Sequence, residues 1–131
     1  MANPNIANVT SILGMTTYLT PSSTSAVVLL ANTAASGTVM RINEICAANI
    51  HATQAVNVTV SIYTNGAVVQ GSAPSGGTAY PICSITPVPV NVTLVAVDKT
   101  TPIYLLEGTS ISVTSGTASS VAYTVSYELI S

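Results

Sequence analysis

Apolar residues recur at every second position along most of this chain. In Val56-Asn57-Val58-Thr59-Val60-Ser61-Ile62 the even positions are apolar and the odd ones polar, the 180° repeat of a half-buried strand. The C-terminal run alternates in the same way: Val121, Tyr123, Val125, Tyr127 and Leu129 interleave with Ala122, Thr124, Ser126, Glu128 and Ile130. Ser110–Thr114 and Asn91–Leu94 repeat the pattern, and no segment carries a capped helical stripe of comparable quality. The pattern predicts strands at Ser25–Asn32, Val39–Asn49, Gln54–Tyr63, Ala67–Gln70, Tyr80–Ile85, Val90–Val97, Pro102–Leu106, Thr109–Ser115 and Ser119–Ile130.

Turn chemistry separates these runs. Thr64-Asn65-Gly66 reads as a hairpin turn leading into Ala67-Val68-Val69, because Asn-Gly between apolar runs suits a two-residue turn. Glu107-Gly108 and Ser115-Gly116-Thr117 read as further turns, and residues 71–77 as a flexible loop. Thr86-Pro87-Val88-Pro89 should be extended and at an edge, since neither proline can donate to a ladder. Eight to nine short strands predict an all-β fold: an antiparallel two-sheet β-sandwich of jelly-roll type over 25–131, with a lipocalin-like barrel as the competing closure. Residues 1–24, where Asn3-Pro4-Asn5 and Thr20-Pro21-Ser22-Ser23 flank a short apolar piece, break the rhythm and read as an extended N-terminal arm. Such an arm can clip onto its own sandwich or reach a neighbour.

Charge changes the picture. The 131 residues hold two Lys+Arg and four Asp+Glu, so 5% of the chain is charged against about 25% in ordinary domains. Two basic residues cannot neutralise a run of phosphates, which excludes nucleic-acid binding as the main activity. Disorder is excluded by the 48% hydrophobic content. A membrane helix is excluded because the longest apolar stretch, Ala26–Ala31, is about a third of the ~18 residues required. The N-terminus has neither basic nor apolar signal regions, so a cytosolic product with reduced Cys46 and Cys83 is expected.

Reactive groups are sparse. His51 is the single histidine and falls in a turn, with no Asp beside it in sequence. Of the acids Glu44, Asp98, Glu107 and Glu128, Asp98 and Glu107 flank one short strand, yet each reads more simply as a turn residue. No cysteine–histidine spacing suits zinc, no acidic cluster suits calcium, and residues 71–77 lack the lysine of a phosphate cradle, so no metal or cofactor is expected. The Asn-Val-Thr sequons at Asn8, Asn57 and Asn91 are what β-rich sequences contain. Tyrosine is the only aromatic; its six copies could form a sugar-stacking surface, but Tyr123 and Tyr127 are better placed in the core with the others rimming an interface. An enzyme needs titratable groups this chain lacks. A homo-oligomeric structural protein does not, and interface cores are depleted in Lys, Glu and Asp.

The opening Met1–Ile12 (MANPNIANVTSI), the segment Pro102–Thr114 (PIYLLEGTSISVT) and the ending Val125–Ile130 (VSYELI) resemble small virion proteins of tailed phages, particularly those infecting cyanobacteria. The resemblance covers most of the chain through strand-and-turn patterns. It implies a non-enzymatic structural protein assembled in the host cytoplasm. A small β-sandwich with an N-terminal arm is similar to capsid decoration (cement) proteins, which sit as trimers on the capsid exterior. That likeness implies a homotrimer whose partner is the major capsid protein, with Asn5, Ile6, Val9, Ile12, Leu13 and Tyr18 of the arm as contact residues. A tail, neck or fibre-associated protein is the alternative place in the particle, and a host-glycan-binding module the alternative class.

Overall fold

The computed structural model describes residues 4–131. Among them there is no helix; nine strands form two antiparallel sheets. The strands are β1 (Ile12–Leu19), β2 (Val27–Asn32), β3 (Val39–Asn49), β4 (Val56–Tyr63), β5 (Ala79–Val88), β6 (Thr93–Val97), β7 (Ile103–Leu105), β8 (Thr109–Ser115) and β9 (Val121–Ile130). One sheet runs β1-β9-β3-β6 with β7 also on β3; the other runs β2-β8-β4-β5. β6 pairs with Ile45–Ala48 and β7 with Met40–Ile42, so the two are successive pieces of one interrupted edge strand. Counted as one, they give the order first-eighth-third-sixth in one sheet and second-seventh-fourth-fifth in the other, which is the jelly-roll order.

The period-two pattern is what buries the core. Val56, Val58 and Val60 of β4, Ile111 and Val113 of β8, Ile42, Ile45 and Ala47 of β3, and Val121, Tyr123 and Val125 of β9 are all essentially inaccessible. These belong to one continuous apolar cluster between the sheets. β-branched side chains dominate it, as suits packing on a pleated surface.

Two buried asparagines join the sheets at strand ends. Asn32, closing β2, donates through Nδ2 to the carbonyls of Thr38 and Leu105 at 3.0 Å each, while its Oδ1 accepts from Ser36 Oγ at 2.6 Å and Thr38 Oγ1 at 3.2 Å. Asn49, closing β3, donates to the carbonyls of Gln54 at 2.9 Å and Val88 at 2.8 Å and accepts from His51 N at 2.8 Å. Each satisfies backbone groups of the opposite sheet that would otherwise be buried without partners.

One expectation is corrected. Residues 67–70 form no strand: β4 pairs with β5 instead, and 64–78 is a loop. Asn65 does not make a hairpin turn but holds that loop, donating to Ser75 O at 2.7 Å and accepting from Ala67 N at 3.1 Å. Gly66 is pressed so closely to the chain that a Cβ there would lie 2.2 Å from Asn32 O. The segment expected as an arm, whose residues 1–3 lie outside the described residues, contributes β1, which pairs with β9 in unbroken register from Ile12↔Ile130 to Leu19↔Tyr123. β1 lies in sequence before the first predicted strand because neither of its faces is buried, so no alternation marks it.

β5 is an edge strand that includes Pro87, as Pro87 and Pro89 predict, with Pro89 just beyond its end and Pro81 also within it. It bulges twice against β4, and within it Ile85 adopts φ +48°, a left-handed conformation that costs a β-branched residue roughly 1–2 kcal/mol. Ile85 is two-thirds exposed, so little burial offsets that strain. Ile85→Asn is expected to stabilise the fold by about 1 kcal/mol, read as a rise in Tm of roughly 4 °C by calorimetry.

Tyr123 is the largest fully buried side chain. Its hydroxyl donates to Thr114 O at 3.0 Å and lies 2.9 Å from Ser115 Oγ. Burial pushes this phenol up to about 12, with the Ser115 contact acting in the opposite direction. Because the folded value lies above the unfolded one, the stabilisation is complete below pH 10 and is lost as pH rises from 10 through 12. The Tyr123 share of stability should therefore be flat up to pH 10 and fall by roughly 2–3 kcal/mol by pH 12, read as the difference between the pH dependence of thermal melts of the wild type and of Tyr123→Phe, a substitution costing about 1–3 kcal/mol at neutral pH.

Candidate functional site

The strands sort the charges onto one face. Arg41 and Glu128 are cross-strand partners on β3 and β9, and their side chains pair at 3.8 Å. Glu44 lies opposite Ser126, between the buried Ile42 and Ile45 in sequence. A plain alternation from Ile42 would turn Glu44 into the core. A bulge between Ile42 and Glu44 shifts the phase and turns it outward. With Lys99 from the β6–β7 turn, Asn43 and Ser126, the two glutamates line a shallow hollow of about 290 Å³. Asn43 Nδ2 donates to Glu128 Oε1 at 3.4 Å, and Arg41 Nε is buried without a partner.

The other sheet has no charge in any strand: β2, β4, β5 and β8 contain no Asp, Glu, Lys or Arg. Asn57, Thr59 and Thr114 alternate outward from the buried Val58, Val60 and Val113, and β5 exposes Tyr80 and Ile85. The sequence does not contain a charge between Glu44 and Asp98, nor before Arg41. That scarcity is plain from composition; its confinement to one sheet follows from topology.

The remaining titratable groups organise turns. Asp98 accepts from Thr100 N at 2.8 Å and Thr100 Oγ1 at 2.5 Å, and the Thr100 bonds hold its carboxyl below the usual range. Glu107 accepts from Gly37 N at 2.9 Å. These two acids, read from the sequence more simply as turn residues than as a pair, occupy separate turns. His51 Nδ1 accepts from Thr53 N and Gln54 N at 3.1 Å each, so that lone pair is committed to the β3–β4 connection. Tyr63, Tyr123 and Tyr127 are buried, while the exposed Tyr18, Tyr80 and Tyr104 lie on β1, β5 and β7 and share no platform. Among the described residues, no group of three His, Cys, Asp or Glu comes together.

The six candidate contact residues lie along one N-terminal segment. Ile6, Ile12, Leu13 and Tyr18 are exposed, Val9 is half-buried, and exposed Asn5 accepts from Ala7 N at 3.0 Å. Met15, exposed on the same strand, belongs with them and is absent from the sequence-based set, because only the β1–β9 pairing reveals it as a strand position. A second hollow, about 310 Å³, lies where the 64–78 loop meets β2, lined by Leu29, Ala31, Val68, Gln70, Thr17 and Tyr127. No protein-family model, no curated protein and no solved structure matches this chain.

Cys46 and Cys83 are both free thiols on different sheets. Burial pushes the Cys46 thiol up to about 11, helped by its bond to Glu44 Oε1 at 3.1 Å and by the glutamate charge. It is therefore a protonated, sluggish thiol at neutral pH. In a Cys83→Ser background, iodoacetamide labelling of Cys46 should be slow at pH 8 and accelerate up to about pH 11, and Glu44→Gln should speed labelling at pH 8.

Proposed function

We propose that this chain is a structural protein of a tailed-phage virion, a decoration protein seated on the outside of the capsid shell against the major capsid protein. The observation that carries the reading is the division of charge: one sheet faces water with every charged strand residue, and the other is neutral across all four strands. A face without Lys, Glu or Asp has the composition of a protein contact. The sequence resemblance to small phage virion proteins supplies the setting.

In this arrangement the neutral sheet lies on the shell and the Arg41–Glu128 face points to solvent. Packaged DNA presses a shell outward, and a clamp across subunit boundaries adds apolar contacts that must break before it opens. The strained Ile85 fits this role: a residue held in an unfavourable conformation at an exposed position has a use outside the fold's own stability.

A cryo-electron-microscopy reconstruction of the particle carrying this chain tests the reading. Density for a β-sandwich repeated over the shell, neutral sheet inward, is expected. Confinement to the tail or neck, or absence from the particle, overturns it. Ile85→Asn and Tyr80→Lys should weaken attachment to shells lacking the protein, although the first raises Tm.

A further inference from the structure

A β-sandwich has four sheet edges, and exposed edges invite pairing with other chains. Three of the four are guarded here. β5 carries Pro81 and Pro87 and bulges twice. The β6–β7 edge is interrupted by the turn at 98–101 with Lys99, followed by Pro102. β2 bulges between Val28 and Leu30, and Val28 exchanges bonds with the 64–78 loop, donating to Ser72 O at 2.9 Å and accepting from Gly71 N at 2.8 Å.

β1 has no proline, bulge or interruption, and the 64–78 loop reaches it through the Gln70 side chain, at Thr17 Oγ1 and Tyr18 O. β1 pairs with β9 over eight consecutive residues without a shift, has no charge, and exposes Ile12, Leu13, Met15 and Tyr18. Ser11 and Ser131 exchange both backbone bonds, Ser11 N to Ser131 O at 3.1 Å and Ser131 N to Ser11 O at 3.0 Å. By the alternation of an antiparallel ladder, odd-numbered β1 residues thus direct their backbone at β9, and Ile12, Gly14, Thr16 and Tyr18 direct theirs at the open edge. Gln70 Nε2 reaches Tyr18 O from that side at 3.2 Å, in agreement.

The strand is complementary to itself. Gly14 and Tyr18 lie opposite Glu128 and Thr124, on the outward face, and Thr16 lies midway between them. A Cβ added to Gly14 would meet nothing within 4 Å, and Tyr18 is 77% exposed, the most of any large apolar side chain among the described residues. A two-fold axis through Thr16 sets Gly14 of each copy opposite Tyr18 of the other, so that each ring covers the other strand's bare glycine. It also pairs Leu13 with Leu19 twice on the inner face, and Thr16 with itself. In this register Gly14, Thr16 and Tyr18, whose backbones already face the open edge, make the new ladder bonds, and Leu13 and Leu19 face each other as a non-hydrogen-bonded pair. An isologous contact brings residues at the axis against their own copies, where any charge meets its like. None does so here, because no charged side chain precedes Arg41. Tyr18 O keeps a second lone pair for the new ladder beside Gln70.

We propose that β1 pairs antiparallel with β1 of a second copy about a two-fold axis at Thr16, joining the two β1-containing sheets into one continuous sheet. This goes beyond the virion reading and stands on the edge strand alone. A monomer would overturn it while leaving the neutral sheet to be tested on the particle.

The experiment is light scattering coupled to size exclusion on the full chain across a micromolar concentration series, with Thr16→Lys and Thr16→Glu. Wild type should give twice the 13.2 kDa chain mass. Each variant alone should be a folded monomer by circular dichroism, since Thr16 is exposed, and an equimolar mixture should recover the dimer as a mixed pair. A wild-type monomer, a trimer of the kind implied for decoration proteins, a Thr16→Lys dimer, or a mixture that stays monomeric overturns the proposal.

Discussion

Two sheets stay face to face only if the backbone groups at the ends of the strands, where the chain leaves the ladders, find partners inside the protein. Asn32 and Asn49 meet that requirement. Each sits at the last residue of a strand in one sheet and bonds a carbonyl of the other, Leu105 in one case and Val88 in the other. Burying a polar amide costs several kcal/mol when it is unpaired and little when every lone pair and proton is used. Asn32 uses all four of its bonding positions, which lets a polar group sit with no solvent exposure between Thr38 and Leu105. The apolar interior between these fixed points can then consist of valine, isoleucine and leucine with few polar interruptions.

That closure dictates where the charges go. Once the inner faces are apolar and the turns hold Asp98 and Glu107, only outward strand positions remain for the other acids. The bulge after Ile42 is decisive for Glu44, since without it the carboxylate would enter the core. Arg41 and Glu128 lie across from each other at about one-third exposure, so their attraction is modest in energy and chiefly sets which face is charged. The neutral sheet is the complement of this choice.

The fold was legible where strands have one wet and one dry face. β4, β8 and β9 announce themselves by alternation, and Pro87 and Pro89 correctly mark β5 as an edge. β1 was not legible as a strand because Ile12-Leu13-Gly14-Met15-Thr16-Thr17-Tyr18-Leu19 has no buried face to impose a period. Residues 67–70 mislead in the opposite sense: they are apolar and follow Asn-Gly, but Gly66 is used for close approach to Asn32 O, and Asn65 ties the loop to Ser75. Of the candidate surface, the shortage of charge could be read from composition, while its concentration on one sheet depends on strand order and on one bulge, neither of which local sequence reveals.

The two neutral surfaces do not compete for the same space. In strand order β1 and β2 end the two sheets on one side of the sandwich, and β5 with β6 and β7 ends them on the other. The 64–78 loop closes the β2 side by bonding both Val28 and, through Gln70, Tyr18, so it stiffens the strand beside which a second copy would lie. On the far side, prolines and a strained bulge keep β5 from extending the sheet while leaving Tyr80 and Ile85 exposed. Backbone pairing is thus open at β1 and closed at β5, where only side-chain contact remains. A chain with so little charge to prevent indiscriminate association restricts it by geometry instead.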